Sequence, residues 1–352
     1  MSLQTDILIW FAKNQRPLPW RKHYRPYEVW VSEIMLQQTQ VETVLPYYER
    51  WMKLFPTVKS LAKADQEKVL KVWQGLGYYS RARNLHETAK AIAKDFDGKF
   101  PSDFDAILSL KGIGRYSAGA IASIAFNQEK PVVDANVLRV LSRVYAIGKS
   151  IDVPKNREEF WALEEKLIPK GHARDFNQAL MELGALICAR NPDCPICPLR
   201  KHCRAYKENR ALDFPVRKKR RQTVKVNAAA VVLKRSGEYF IHRRPQGEIM
   251  GGLWEFPEWK LSKNACLELE EIEKCAMENL KKTFHVAAGK PEHLGTIKRN
   301  YTHHDEVLEV FLVNAPSPFN AASDWPSAWS SKKDFARYPF SSAHSKIAKL
   351  VY

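Results

Sequence analysis

Four of the chain's six cysteines are gathered in the segment Cys188-x5-Cys194-x2-Cys197-x5-Cys203. They follow an apolar helical run, Leu180-Met181-Glu182-Leu183-Gly184-Ala185-Leu186-Ile187. Four clustered thiolates can hold an iron–sulfur cluster or a zinc ion. A disulfide framework is disfavoured, because 352 residues can bury a core without staples and the chain does not open with a secretory leader. A zinc ribbon needs two tight C-x2-C pairs, and only Cys194 and Cys197 form one. The spacing favours a [4Fe–4S] cluster and leaves zinc as the alternative. Cys266 and Cys275 read as reduced thiols, so a reducing cytoplasm is expected.

The length suggests two or three domains. A net charge of +17 calls for an anionic partner, with nucleic acid the first candidate. No apolar run is long enough for a membrane span. Residues up to about 200 read as helical, with apolar positions three and four apart, as in Leu61, Val69, Leu70, Val72 and Trp73. A helix is expected from Pro26 through Leu36. Another is expected over 135–147, capped by Asp134 and ended by Gly148. After Cys203 the texture changes. Residues 210–222 form a basic linker, and strand-like runs follow at 224–233, 238–243 and 307–313, with Ser236-Gly237 as a hairpin turn. The chain beyond about 225 is therefore a separate α+β module.

Three sites carry chemistry. In Leu110-Lys111-Gly112-Ile113-Gly114-Arg115-Tyr116 the glycine turn lets backbone approach a phosphate, and the following helix offers free N–H groups. This is the logic of a helix-hairpin-helix DNA-binding element, against which stands a plain turn between helices. Asp134 taken alone is a helix cap. Within a larger constellation it is a carboxylate able to stabilise positive charge on a sugar. Glu33 lies in Val29-Trp30-Val31-Ser32-Glu33-Ile34-Met35-Leu36, where most faces are apolar, and Trp30, Glu33 and Gln37 share a face by their spacing. A carboxyl kept from water has a raised pKa and suits general acid work. The alternative is a glutamate on the wet side of the helix.

Leu18-Pro19-Trp20, Ser32 to Thr39 (S-E-I-M-L-Q-Q-T), Gly75 to Leu85 (G-L-G-Y-Y-S-R-A-R-N-L) and Val133-Asp134-Ala135-Asn136-Val137 occur in order with the hairpin and the cysteines. Together they resemble the adenine DNA glycosylase (MutY) family, strongly over residues 5–206 and more loosely beyond. The resemblance implies a multidomain fold: an all-α helix-hairpin-helix glycosylase domain with an iron–sulfur helical domain, plus a C-terminal α+β Nudix-like domain. The implied boundaries are 1–207 for the catalytic region, 208–224 for a basic linker and 225–352 for the Nudix-like domain. Within the catalytic region the hairpin-bearing domain spans about 20–134, and the iron–sulfur domain combines residues 1–19 with 135–207. The implied activity is monofunctional excision of adenine mispaired with 8-oxoguanine or guanine in duplex DNA, by a cytoplasmic monomer that is nucleoid-associated if the source is bacterial. By the same resemblance Glu33 protonates adenine N7 and later activates water, Asp134 stabilises the oxocarbenium ion, and Tyr116 assists beside the sugar. Arg21, Trp30 and Glu182 line the adenine pocket. Gln38, Thr39, Leu76, Tyr78, Gly112 and Gly114 touch DNA or fill the gap left by the flipped base. Tyr301, Thr302 and His303 resemble the loop that reads 8-oxoguanine, and Cys188, Cys194, Cys197 and Cys203 carry the cluster.

The chain departs from the family pattern at two places. The first cysteine interval is five residues where six is common, and Ala135 stands where glycine is usual. Gly251 to Lys260 resembles the entry to a Nudix motif, but residues 261–274 lack the carboxylate array that holds magnesium, so base binding without nucleotide hydrolysis is expected. One rival reading is an endonuclease III-like lyase, whose Schiff-base lysine is replaced by Tyr116. The others are a Nudix pyrophosphohydrolase and a non-enzymatic DNA-binding protein.

Overall fold

In the computed structural model, residues 1–218, 223–263, 267–285, 289–301, 304–316 and 325–351 are described. Contacts divide the chain into two compact units: Met1–Ala64 with Asn84–Lys219, and Asp65–Arg83 with Arg220–Tyr352. Asp65–Arg83 thus groups with the later residues, whereas sequence patterning places it inside the helical region. The contacts responsible join positions far apart in the chain, which local patterning cannot register.

The first unit is helical. Pro26 opens the helix Pro26–Leu36, where its fixed φ suits the first turn and its missing N–H is not needed. Val29, Trp30, Val31, Glu33, Ile34 and Met35 are all buried, so the helix runs through the core. The hairpin joins Phe104–Ser109 to Arg115–Ala120. Gly112 sits at φ +76, and a Cβ there would meet the Asn84 side chain at 2.6 Å. The second helix runs on into a π-helical turn, Ile121–Ala125.

Gly119 on that helix lies so close to the Pro131 carbonyl that any Cβ would collide with it. The close approach lays Pro131-Val132-Val133 against the helix and delivers Asp134 to the start of Ala135–Val144. That helix ends earlier than expected. The Ile147 N–H bonds the Ser142 carbonyl at 2.9 Å, the Ala146 N–H bonds that of Arg143 at 3.4 Å, and Ala146 takes φ +53. This is a Schellman closure with alanine in the left-handed position, and Gly148 plays no part in it. Ile7, Phe11, Val137, Leu141, Phe176, Leu180 and Leu183 share one core that joins this helix to Leu3–Asn14 and Ala173–Leu186.

The second unit is built on a mixed sheet. Strand Val224–Arg235 lies at its centre, parallel to His304–Asn314 and antiparallel to Glu238–Arg243 and Glu258–Lys263. Glu292–Tyr301 flanks His304–Asn314, while Trp254–Glu255 and Ser327–Ser331 pair with Glu238–Arg243. Ala229, Val231 and Leu233 face the helix Leu269–Phe284 through Ile272, Ala276 and Leu280. Ala228, Ala230 and Val232 share the opposite core with Ala343 and Ile347 of Ser342–Leu350. Both faces of the central strand are covered, which explains its unbroken apolar run. Ser236 and Gly237 have φ +47 and +81, the signs a type I′ hairpin turn requires.

Candidate active site

A cleft of about 500 Å³ opens in the helical unit. Its lining brings together Glu33, Tyr116, Asp134, Arg21, Glu182 and Thr39 from the expected set. Glu33 is 5% exposed, carried inward by a helix that is buried continuously from Val29 to Met35. Burial pushes its carboxyl up to about 7, and the charge of Asp134 adds to the rise, while the Tyr116 hydrogen bond and Arg21 oppose it. The Tyr116 hydroxyl donates to Glu33 Oε2 at 2.7 Å. Burial and the two carboxyls hold Tyr116 well above the usual phenol range, so it stays protonated and remains a donor.

Asp134 is gripped at both oxygens. The Val137 N–H bonds Oδ1 at 2.7 Å, and Asn136 Nδ2 bonds Oδ2 at 2.7 Å. Arg139 in turn donates to Asn136 Oδ1 at 2.8 Å. Burial still raises the Asp134 pKa against these bonds. Its negative charge is therefore poorly solvated and gains when a cation forms beside it.

Glu182 faces two guanidinium groups. Arg21 Nη2 and Arg16 Nε lie 3.0 and 2.8 Å from its oxygens, and the Arg16 N–H bonds it at 3.0 Å. Burial would raise its pKa, but these bonds bring it down to about 2. Gln178 fixes Arg21 Nε at 2.9 Å. Arg16, Asn136, Arg139, Gln178 and Met181 line the cleft and were not singled out from the sequence. Asn136 and Met181 lay in quoted segments without being marked as site residues, and an isolated arginine in a basic chain gives no signal.

The structure does not bring every expected residue into the cleft. Trp30 is buried against Phe100 and Tyr27, with ring centroids 5.3 and 6.2 Å away, and does not line it. Gln37 lies past the helix end and donates to Ser117 Oγ at 3.2 Å, so it does not share a helical face with Trp30 and Glu33. Gln38 is exposed at φ +57. In the other unit Leu76 is buried, and Tyr78 is 50% exposed at φ +46. Gly114 caps Arg115–Ala120, with nothing within 4 Å of a Cβ built there. Tyr301 pairs with His304 across the end of its hairpin. Thr302 and His303 lie outside the described residues.

All four clustered cysteines line one pocket in the helical unit. Arg143 is buried beneath it and donates to Cys188 Sγ at 3.3 Å and to the Ala189 carbonyl at 2.6 Å. Burial pushes the Cys197 thiol up to about 12. Among the described residues no group of three or more side chains is drawn together as tightly as a single metal ion needs. Four thiols lining one pocket, with the Arg143 guanidinium against Cys188, are the kind of donor set that an iron–sulfur cluster or zinc uses.

Comparison with known proteins gives two domain matches. Residues 31–166 match the HhH-GPD superfamily base excision DNA repair protein model, and residues 228–350 match the NUDIX domain. The adenine DNA glycosylase of Rattus norvegicus is 33% identical over 407 residues, covering 99% of this chain and 78% of the relative. That of Buchnera aphidicola (subsp. Schizaphis graminum) is 40% identical over 253 residues, covering 71% and 73%. Among solved structures, a thermostable thymine-DNA glycosylase superposes with a TM-score of 0.54 at 32% identity, over 58% of this chain and 95% of that one.

Proposed function

Because the chain belongs to the adenine DNA glycosylase family of base excision repair enzymes, we propose that its cleft excises adenine mispaired with 8-oxoguanine or guanine in duplex DNA. The observation that carries this reading is the buried Glu33 carboxyl. Near neutrality it is partly protonated, held by Tyr116, and in one cleft with the Asp134 carboxylate. The cleft volume lies in the range of small-molecule sites, so a flipped base can enter.

Glu33 gives its proton to adenine N7. The C1′–N9 bond breaks and its electron pair leaves with the base. The Asp134 carboxylate faces the positive charge at C1′ and stabilises it, by charge or by a transient bond, as paired carboxylates do in glycoside hydrolysis. Water adds at C1′ and returns a proton to Glu33. Tyr116 keeps the carboxyl oriented throughout. Arg21 and Glu182 frame the base, with Arg16 fixing Glu182. No lysine stands at Tyr116 to form a Schiff base, so the strand is left intact.

Gln38, Thr39, Leu76, Tyr78, Gly112 and Gly114 contact the duplex in this reading, and the Tyr301-Thr302-His303 segment reads the opposite lesion. Cys188, Cys194, Cys197 and Cys203 would hold a [4Fe–4S] cluster, which closes their loop and serves structure rather than chemistry. We keep the functional division at residues 208–224 and assign the enzyme to the cytoplasm as a monomer. The Nudix-like module binds and does not hydrolyse: Glu258 is engaged by Arg244, Arg299 and His344 at 3.0, 2.8 and 3.0 Å and is not free for magnesium.

Incubation with duplexes carrying adenine opposite 8-oxoguanine, guanine or thymine tests the reading. Adenine is released opposite 8-oxoguanine and guanine, and the strand breaks only after alkali. Strand cleavage without alkali, or an efficient borohydride-trapped adduct, would overturn the monofunctional mechanism.

A further inference from the structure

Tyr78 holds a large side chain half exposed on a left-handed backbone at φ +46. Such a conformation is costly for a bulky residue and persists only where its surroundings enforce it. Local bonds gather the turn at residues 75–78. Trp73 Nε1 donates to the Gly77 carbonyl at 3.0 Å, and Arg81 Nη2 donates to those of Leu76 and Gly77 at 3.1 and 3.2 Å.

The rest of the restraint comes from residues far along the chain, within the same compact unit. The Tyr79 hydroxyl accepts from the Gly75 N–H at 3.4 Å and donates to the Phe340 carbonyl at 3.1 Å. Gln74 Nε2 donates to Ser345 Oγ at 2.6 Å. Lys71 Nζ reaches the Tyr338 carbonyl at 2.8 Å, and Arg83 reaches that of Gly251 at 2.6 Å. Both sides of the turn are therefore tied to the module that follows residue 225.

We propose that this module clamps the 75–78 turn, and that Gln74 and Tyr79 are positioning residues through which it sets how Tyr78 meets the base opposite adenine. The proposal rests on the assignment of Leu76 and Tyr78 to the DNA made above. It makes opposite-base discrimination a property of the clamp as well as of any direct contact to the lesion.

Hydrogen–deuterium exchange on the full chain without DNA, for wild type, Ser345→Ala and Tyr79→Phe, reads the clamp directly. Single-turnover adenine release opposite 8-oxoguanine and opposite guanine reads its consequence. Ser345→Ala removes one hydrogen bond, so exchange at residues 75–78 quickens by about 2- to 10-fold, and Tyr79→Phe, which removes two, quickens it at least as much. Exchange over residues 224–233 and the melting temperature stay as in wild type. The ratio of the two release rates moves toward one, and Ser345→Thr restores it. Unchanged exchange in both variants overturns the clamp, and faster exchange with an unchanged ratio overturns its role in discrimination. If wild type releases no adenine from any duplex, the function proposed above fails, and the exchange result alone decides the clamp.

Discussion

In the proposed mechanism Glu33 performs acid chemistry because of where its helix runs. Its carboxyl is pushed up to about 7 chiefly by burial, so the protonated, proton-donating form dominates below that pH and is lost above it. The single-turnover rate of adenine release is therefore expected to fall as pH rises through about 7, approaching tenfold per unit, and to fall again in acid, where the raised Asp134 carboxyl takes up a proton. A rate that stays flat well into the alkaline range would remove Glu33 as the acid. This residue was legible in the sequence because nearly every neighbour on its helix is apolar. Trp30 was read less well, since periodicity places a side chain on a face but does not say which neighbour covers it. Arg16 was invisible. Its importance comes from Glu182, 166 positions away, and nothing local marks it.

At the scale of the element, Asp134 combines two roles that a substitution can separate. It caps Ala135–Val144 through the Val137 N–H, and its charge faces the reacting sugar in the proposed mechanism. Asparagine caps as well as aspartate but carries no charge. Asp134→Asn is expected to melt close to the wild-type temperature while base release drops by about 10²- to 10³-fold. A large fall in melting temperature with little loss of rate would make Asp134 a cap alone. The cap was readable from the sequence, and so was the Pro26 start. The end of Ala135–Val144 was not, because Gly148 looked like the stop while Ala146 took the left-handed position. The closing bonds to Ser142 and Arg143 compensate for alanine there. The approach of Pro131 to Gly119, which aims Asp134, depends on tertiary packing that no local pattern encodes.

For the whole molecule, the two-part organisation was visible in the change from helical to strand periodicity, and the matches over residues 31–166 and 228–350 agree with it. The grouping of Asp65–Arg83 with the later unit was not visible, because it rests on pairs such as Gln74 with Ser345 and Tyr79 with Phe340. The cysteine loop is organised around Arg143, which sequence alone shows only as one more charge on an amphipathic helix. The purified protein is expected to show broad visible absorbance and to carry iron, both lost in Cys188→Ser. A colourless, zinc-loaded protein would replace the cluster by zinc and leave the cleft chemistry standing. The net charge of +17 makes DNA affinity fall steeply with salt, so binding and chemistry must be compared at one ionic strength. The most direct test of the central claim is single-turnover adenine release by the full-length Glu33→Gln protein on a duplex with adenine opposite 8-oxoguanine, with duplex binding measured alongside. The account predicts that binding is kept and release falls by about 10²- to 10⁴-fold. Release at the wild-type rate would contradict it.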